Sequence, residues 1–292
     1  RQSMYYGLDL TNYWKRTNVI DPMSCENNFY TMKGLCYTSD GTDYVELVRK
    51  ELGLPEENGQ TPVRLDKDKA AQYKKQAMEE LSAIGVTFPV EVDHYIMGSS
   101  QSGLDSANVL AQCMSDSLGD DFVKLNIKTF IQSSRNEVVV PHLHCFTGNG
   151  WGADYADPQN YLGQVTYGEG KNAYYSDQYT YLNELEENEY NKELLDSYKE
   201  FTRLVEEADA ITDDLDARYA AYAKAEAYLI DHVLVLPCNY QVGWSLTKVD
   251  NDSKMMAMYG SVNNKIKNWN SNADGYTSEE KGVSEQIAAM VG

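Results

Sequence analysis

From Asp66 to Ile84 the apolar positions Ala70, Tyr73, Ala77, Met78, Leu81 and Ile84 recur at helical spacing, and Gly85 suits the residue just past a helix end. Phe88, Val90, Val92, His94 and Ile96 then alternate with polar residues, as one face of a strand does. Helical spacing returns over 103–118 through Leu104, Ala107, Leu110, Met114 and Leu118, and alternation returns through Val123, Leu125, Ile127, Thr129 and Ile131. This order of helix, strand, helix and strand predicts an α/β chain with parallel pairing. Val138–Phe146 reads as a further strand that runs into the glycine-rich Gly148-Asn149-Gly150. Two long helices are expected near 191–209 and 213–230, the second capped by Thr212 with Asp213 and Asp214 in its first turn. His232–Leu246 reads as extended through Pro237, 248–275 as polar loop, and 278–290 as a short amphipathic piece. Upstream, residues 1–14 read as the end of a helix, and 15–65 as irregular apart from a helix at 43–52 stopped by Gly53. The chain opens in mid-pattern at Arg1, so a piece of a longer protein is expected.

Length and charge narrow the function. A chain of 292 residues is long enough for a sizeable buried core. Its net charge of −20 argues against nucleic acid and against adhesion to an anionic membrane face. No apolar run reaches the length needed to cross a bilayer. The five cysteines show neither a C-x-x-C pair nor zinc spacing, although Cys25 and Cys36 are close enough in sequence to close a short loop. Tyrosine is over-represented, with 23 residues against 6 phenylalanines, and tyrosine-rich chains often present amphipathic contact surfaces.

The densest chemistry lies in Trp151-Gly152-Ala153-Asp154-Tyr155-Ala156-Asp157-Pro158-Gln159-Asn160-Tyr161-Leu162. A flexible glycine approach, a rigid indole and a carboxylate suit a wall that grips a small cationic, partly apolar ligand. Gly150 and Gly152 would let a ligand backbone run alongside the chain. Asp157-Pro158 has the form of a helix start, with Asp as cap. Two other chemistries are open on the same residues. His142 and His144, two apart on the expected strand, share a face and with Asp154 would make a metal-ligand set. Asp154 and Asp157 would make a carboxylate pair for a carbohydrate-active hydrolase. The run Gly98-Ser99-Ser100-Gln101-Ser102-Gly103 lacks the spacing of a nucleophile elbow, and neither a P-loop nor a dinucleotide fingerprint is present.

Four blocks resemble one family, the large solute-binding proteins of peptide and nickel ABC importers. They are Arg1–Asp9, similar to R-Q-A-L-x-x-A-I-D; Asp66–Gly85, similar to D-x-x-K-A-x-x-L-L-x-x-A-G; Trp151–Leu162, similar to W-x-x-D-Y-x-D-P-x-x-F-L; and Arg218–Ile230 with Pro237 and Tyr240, similar to R-x-x-x-Y-x-x-A-E-x-x-L before P-x-Y. The resemblance implies a periplasmic-binding-protein type II-like lobe, a mixed sheet flanked by helices, forming the C-terminal half of a two-lobed protein. Residues 1–245 would be the second lobe, with the hinge crossing near 236–246. Residues 246–292 would pack on the first lobe. It further implies a monomeric, non-catalytic, cofactor-free peptide-binding subunit, held outside the cytoplasm in the periplasm or by a lipid anchor, which closes on a peptide and delivers it to permease subunits. In that family the Asp matching Asp154 pairs with the peptide α-amino group. Trp151, Gly150, Gly152 and Tyr155 then line the ligand, and Arg135 is the basic residue available for a carboxylate.

Overall fold

In the computed structural model the N-terminal pattern folds as two short helices, α1 (Gln2–Gly7) and α2 (Thr11–Trp14), instead of one. Leu8 takes an extended conformation after α1, and the Asp9 carboxylate then accepts from the Thr11 N–H at 2.9 Å, so the chain restarts its helix at a new angle. The expected short helix is present as α3 (Tyr44–Leu52), capped by Asp43 and ended by Gly53 at φ 63°, a left-handed position that glycine adopts without strain. The helix expected between Asp66 and Ile84 is α4 (Lys67–Ala83), its N-terminus closed by the Asp66 carboxylate on the Lys69 N–H. Strand β1 (Val90–Met97), helix α5 (Gln101–Leu118, capped by Ser100) and strand β2 (Val123–Phe130) follow as expected. The strands pair in parallel from Val90 opposite Val123 to Met97 opposite Phe130, with α5 as the crossover. Ile131 lies beyond β2 and is exposed, so the alternation overstates that strand by one residue.

The strand expected at Val138–Phe146 does not form. Arg135–Val139 is a π-helical turn, and only Cys145 and Phe146 reach β1, Phe146 through a parallel bridge to His94. The local chemistry outweighs the apolar pattern. The Glu137 carboxylate accepts from the backbone N–H groups of Ile131, Gln132 and Ser133, which winds the chain before any ladder begins. Val138 and Val139 are both buried, whereas a strand would turn one of two neighbours outward. Downstream come α6 (Gln159–Leu162), α7 (Tyr174–Gln178), α8 (Lys192–Asp209) and α9 (Leu215–Asp231). The cap of α9 is Asp214, which accepts from Ala217 N–H at 2.9 Å, and not Thr212. Residues 232–235 are turns and bends instead of the expected strand. Among residues 236–240 the described pairing is one antiparallel bridge, between Glu26 and Asn239.

The structure describes residues 1–168, 173–240, 248–249 and 269–271. The rest of the expected hinge segment, most of the 248–275 loop and the 278–290 piece lie outside the described residues. The chain divides into two compact units, Arg1–Trp151 with Asp157–Val242 and Gly152–Ala156 with Gly243–Gly292. The nine helices and the two-stranded sheet of the described residues belong to the first unit.

That unit has two centres of burial. Around the sheet, Leu8, Leu10, Trp14, Cys25, Met114, Leu118 and Phe122 pack with Val123 and Leu125. The Trp14 indole N–H donates to Cys238 O at 3.1 Å, and the buried Arg64 guanidinium donates to Pro237 O, tying residues 237–238 to this core. All five cysteines are free thiols, so Cys25 and Cys36 do not pair; each is buried within the packing of its own region.

The second centre is α9, which packs against α3 and α8 and buries Tyr222, Ala223, Ala225, Leu229 and Ile230. Its alanines let the neighbouring helices approach closely. Among these apolar residues lies Glu226, fully buried. Its carboxylate accepts from Tyr30 N–H (2.8 Å), Thr31 N–H (2.9 Å), the Thr31 hydroxyl (2.9 Å) and the Tyr44 hydroxyl (3.0 Å). Burial pushes its pKa above the ordinary value of 4.5, partly offset by those four donors. The native state therefore holds this proton at a pH where the unfolded chain has released it. The resulting stabilisation is complete below the unfolded pKa and is lost as pH rises through the native one. Glu226→Gln is expected to gain stability relative to the parent between pH 4.5 and 7.5, as read by urea unfolding at several pH values. Glu226→Ala strands all four donor groups and is expected to cost about 3 kcal/mol or more across that range.

Candidate functional site

Where Phe146 pairs with β1 the chain is held firmly: Cys145 and Phe146 N–H both donate to Asp93 O, at 3.1 and 3.2 Å, and His94 Nδ1 donates to Phe146 O at 3.1 Å. The glycine run leaves from this anchor. A side-chain carbon added at Gly148, Gly150 or Gly152 would meet nothing within 4 Å among the described residues, and none of the three has a positive φ. Neither backbone strain nor internal packing therefore accounts for glycine at these positions.

Trp151 ends the run. Its indole N–H donates to Asn160 Oδ1 at 2.9 Å, which ties it to α6. Its ring lies against Tyr174 and Tyr175 of α7, with centroids 5.8 and 6.0 Å away. Tyr175 hydroxyl donates to Gly150 O at 2.6 Å, so α7 holds both the indole and the backbone just before it. Tyr179 completes the cluster, 5.7 Å from Tyr174 and 5.9 Å from Tyr175. Arg135 is exposed and donates to the Gln178 side chain, and its charge acts on the neighbouring Tyr179. The segment 174–179 thus gathers Trp151, Gly150 and Arg135, three of the residues singled out from the sequence. The tyrosines themselves were not singled out; their signal was the density of tyrosine at 174, 175, 179 and 181. Burial raises the Tyr175 hydroxyl to about 12, and the bond to Tyr174 does the same for Tyr179, so both stay neutral through the physiological range.

Gly152, Asp154 and Tyr155 belong to the second compact unit. Within it, Ala153 is buried, while Asp154 and Tyr155 are exposed to solvent. Asp154 also makes an interaction of its own.

The two rival chemistries lose their residues to other partners. His144 donates through Nε2 to Tyr179 O at 3.0 Å, and its Nδ1 accepts from the Tyr181 hydroxyl at 2.6 Å. His142 stacks on the Tyr181 ring at 3.9 Å, with Nε2 3.5 Å from Glu184. Both backbones at this contact are left-handed, φ 57° at His142 and 55° at Tyr181, which removes the shared strand face on which the paired-ligand reading depended. Among the described residues no three His, Cys, Asp or Glu side chains gather as a metal site. Asp157 is likewise taken. Its carboxylate accepts from Arg218 Nε at 3.1 Å, Arg218 Nη2 at 3.3 Å and Gln159 N–H at 2.9 Å. It holds the first N–H of α6, just before which the helix cap is Pro158, and clamps that turn to α9, which is a structural task and not that of half a hydrolytic pair.

No family model matches the chain. It is 27% identical over 259 residues to the oligopeptide-binding protein AliB of Streptococcus pneumoniae, covering 81% of this chain and 37% of that protein. It is also 27% identical over 270 residues to the oligopeptide-binding protein SarA of Streptococcus gordonii, covering 85% and 39%. Its homologues are oligopeptide-binding proteins. The chain spans under two-fifths of the length of these curated relatives. Among solved structures, a substrate-binding domain of an oligopeptide ABC transporter from Bacillus anthracis superposes with a TM-score of 0.55 at 17% identity, over 82% of this chain and 39% of that one. A peptide-binding protein of a peptide ABC transporter superposes with a TM-score of 0.55 at 20% identity, over 82% of this chain and 89% of that one. The fold is therefore the α/β, type II periplasmic-binding-protein kind that the four sequence blocks implied. No helix among the described residues is long and apolar enough to cross a membrane.

The structural role of Asp157 is open to a stability measurement. Asp157→Ala is expected to cost about 2 kcal/mol in urea unfolding, since it removes the two-nitrogen carboxylate contact of the largely buried Arg218 and leaves it only Asp209 at 3.5 Å.

Proposed function

We propose that this chain is the C-terminal ligand-binding part of an extracytoplasmic, non-catalytic binding protein that captures oligopeptides for an ABC importer. The observation that carries the reading is the sequence relationship to oligopeptide-binding proteins over more than four-fifths of the chain. Two features support it. The glycine run before Trp151 has open space beside it that nothing among the described residues fills, as a site for a ligand main chain requires. The net charge of −20 also favours a ligand that presents an ammonium group.

In this reading the peptide lies against Gly148–Trp151, the Asp154 carboxylate takes its α-ammonium, and Arg135 is the basic side chain available to its carboxylate. A charge-assisted bond of this kind strengthens as closure of the lobes excludes water. The lobe that precedes this chain in the longer protein supplies the other half of the grip, and the closed form is what permease subunits accept. Main-chain recognition gives affinity without demanding a particular sequence. Residues 1–245 serve as the lobe that carries the site, and 246–292 as the return toward its partner lobe. The whole acts as a monomer, in the periplasm or tethered by lipid at the cell surface.

In the full-length protein, Asp154→Asn is expected to weaken peptides with a free amino terminus about 30-fold or more, while N-acetylated peptides are unaffected. Calorimetry with matched peptide pairs checks this, and an equal loss for both removes Asp154 from the amine-binding role. The 292-residue chain by itself is expected to bind small peptides weakly or undetectably, because it offers only one side of the cleft.

A further inference from the structure

The side-chain preference of the proposed site is written in how the aromatic cluster spends its polar atoms. Trp151 uses its indole N–H on Asn160, Tyr175 its hydroxyl on Gly150 O, and Tyr174 and Tyr179 face each other hydroxyl to hydroxyl at 3.4 Å. The indole N–H and the Tyr175 O–H are thus spent within the chain, and Tyr174 and Tyr179 share one bond that occupies one of their two O–H groups. What is left for a visitor is chiefly ring face: Tyr174 is 38% exposed, and Trp151, Tyr175 and Tyr179 are each half-buried. The four rings support one another at 5.4–6.0 Å, in tilted and edge-on arrangements, so the surface is held in place before any ligand arrives. It adjoins the open side of the glycine run, where Gly148 and Gly150 leave space for a neighbouring main chain.

Charge then separates the side chains that a bare aromatic surface would accept. Electron-rich ring faces attract cations as well as other rings. A cation already stands beside this cluster, because the Arg135 guanidinium donates to the Gln178 side chain and its charge acts on Tyr179. A lysine or arginine side chain arriving at the same surface meets a like charge. An aromatic side chain meets ring faces and edges, with a guanidinium beside them.

We propose that Trp151, Tyr174 and Tyr179 form a side-chain-reading surface, flanked by Arg135, that selects peptides carrying an aromatic residue at one position over peptides carrying an aliphatic or cationic residue there. The proposal rests on the peptide-binding reading above and adds specificity to it.

The test uses the full-length protein and a set of short alanine-based peptides in which a single Phe, Leu or Lys is moved through each position, with affinities measured by calorimetry. At one position Phe is expected to bind about three- to tenfold more tightly than Leu or Lys. That ratio is expected to fall toward one in Tyr174→Ala, and also in Tyr179→Leu, which keeps apolar bulk if the alanine variant misfolds. The absence of a Phe-selective position, a preference for Lys, or a Phe preference that survives both variants overturns the proposal while leaving peptide binding intact. Failure of every peptide to bind overturns the peptide-binding reading and this proposal with it.

Discussion

The frame depends on one buried carboxylate. Glu226 sits inside a helix that is apolar on nearly every side, and no cation shares its site among the described residues. Its donors come from two places distant in sequence, the backbone and hydroxyl at 30–31 and the phenol of Tyr44 on α3. A buried acid solvated only by its own protein enforces geometry more strictly than an apolar contact, because a donor that drifts leaves an uncompensated polar group. Through Glu226 the otherwise irregular region before α3 is fixed to α9.

From α9 the same logic runs outward to the candidate site. Eight residues before Glu226, and so on a different turn of the helix, Arg218 grips Asp157 with two nitrogens. Asp157 starts α6, α6 presents Asn160, and Asn160 holds the Trp151 indole. The motif with the tryptophan and the motif with the buried glutamate thus form one mechanical chain, although more than sixty residues separate Asp157 from Arg218. The indole is positioned by a salt bridge it does not touch. A second brace, α7, holds the tryptophan from its other side and ties down Gly150. The proposed peptide surface is in this sense built on rigid elements, as a site that reads geometry needs to be.

The alternatives that the sequence left open closed for a common reason. His142, His144 and Asp157 are each polar side chains whose spacing suits chemistry, and each is consumed by a neighbour that spacing does not reveal. Tyr181 takes the histidines and Arg218 takes the aspartate. Asp154 is exposed and makes an interaction of its own, and it falls in the compact unit that does not hold Trp151.

Where local energetics decide, the sequence was enough. The stop at Gly53, the parallel pair of strands around α5 and the long helices α8 and α9 all follow from hydrophobic period and end signals within a few residues. The four motif blocks were legible in the same way, and with them the fold class. What the pattern could not carry was competition from side chains acting at short range against a strand, or at long range against a proposed site. Glu137 turned an apolar run into a π-helical turn by capturing three N–H groups, and Asp9 broke one helix into two. The tyrosines of α7 reached Trp151 only because the chain between them folds back, and a count of 23 tyrosines said nothing about which would meet. Periodicity records which residues seek burial. Which polar partners find each other is settled only when tertiary packing brings distant segments within hydrogen-bonding distance.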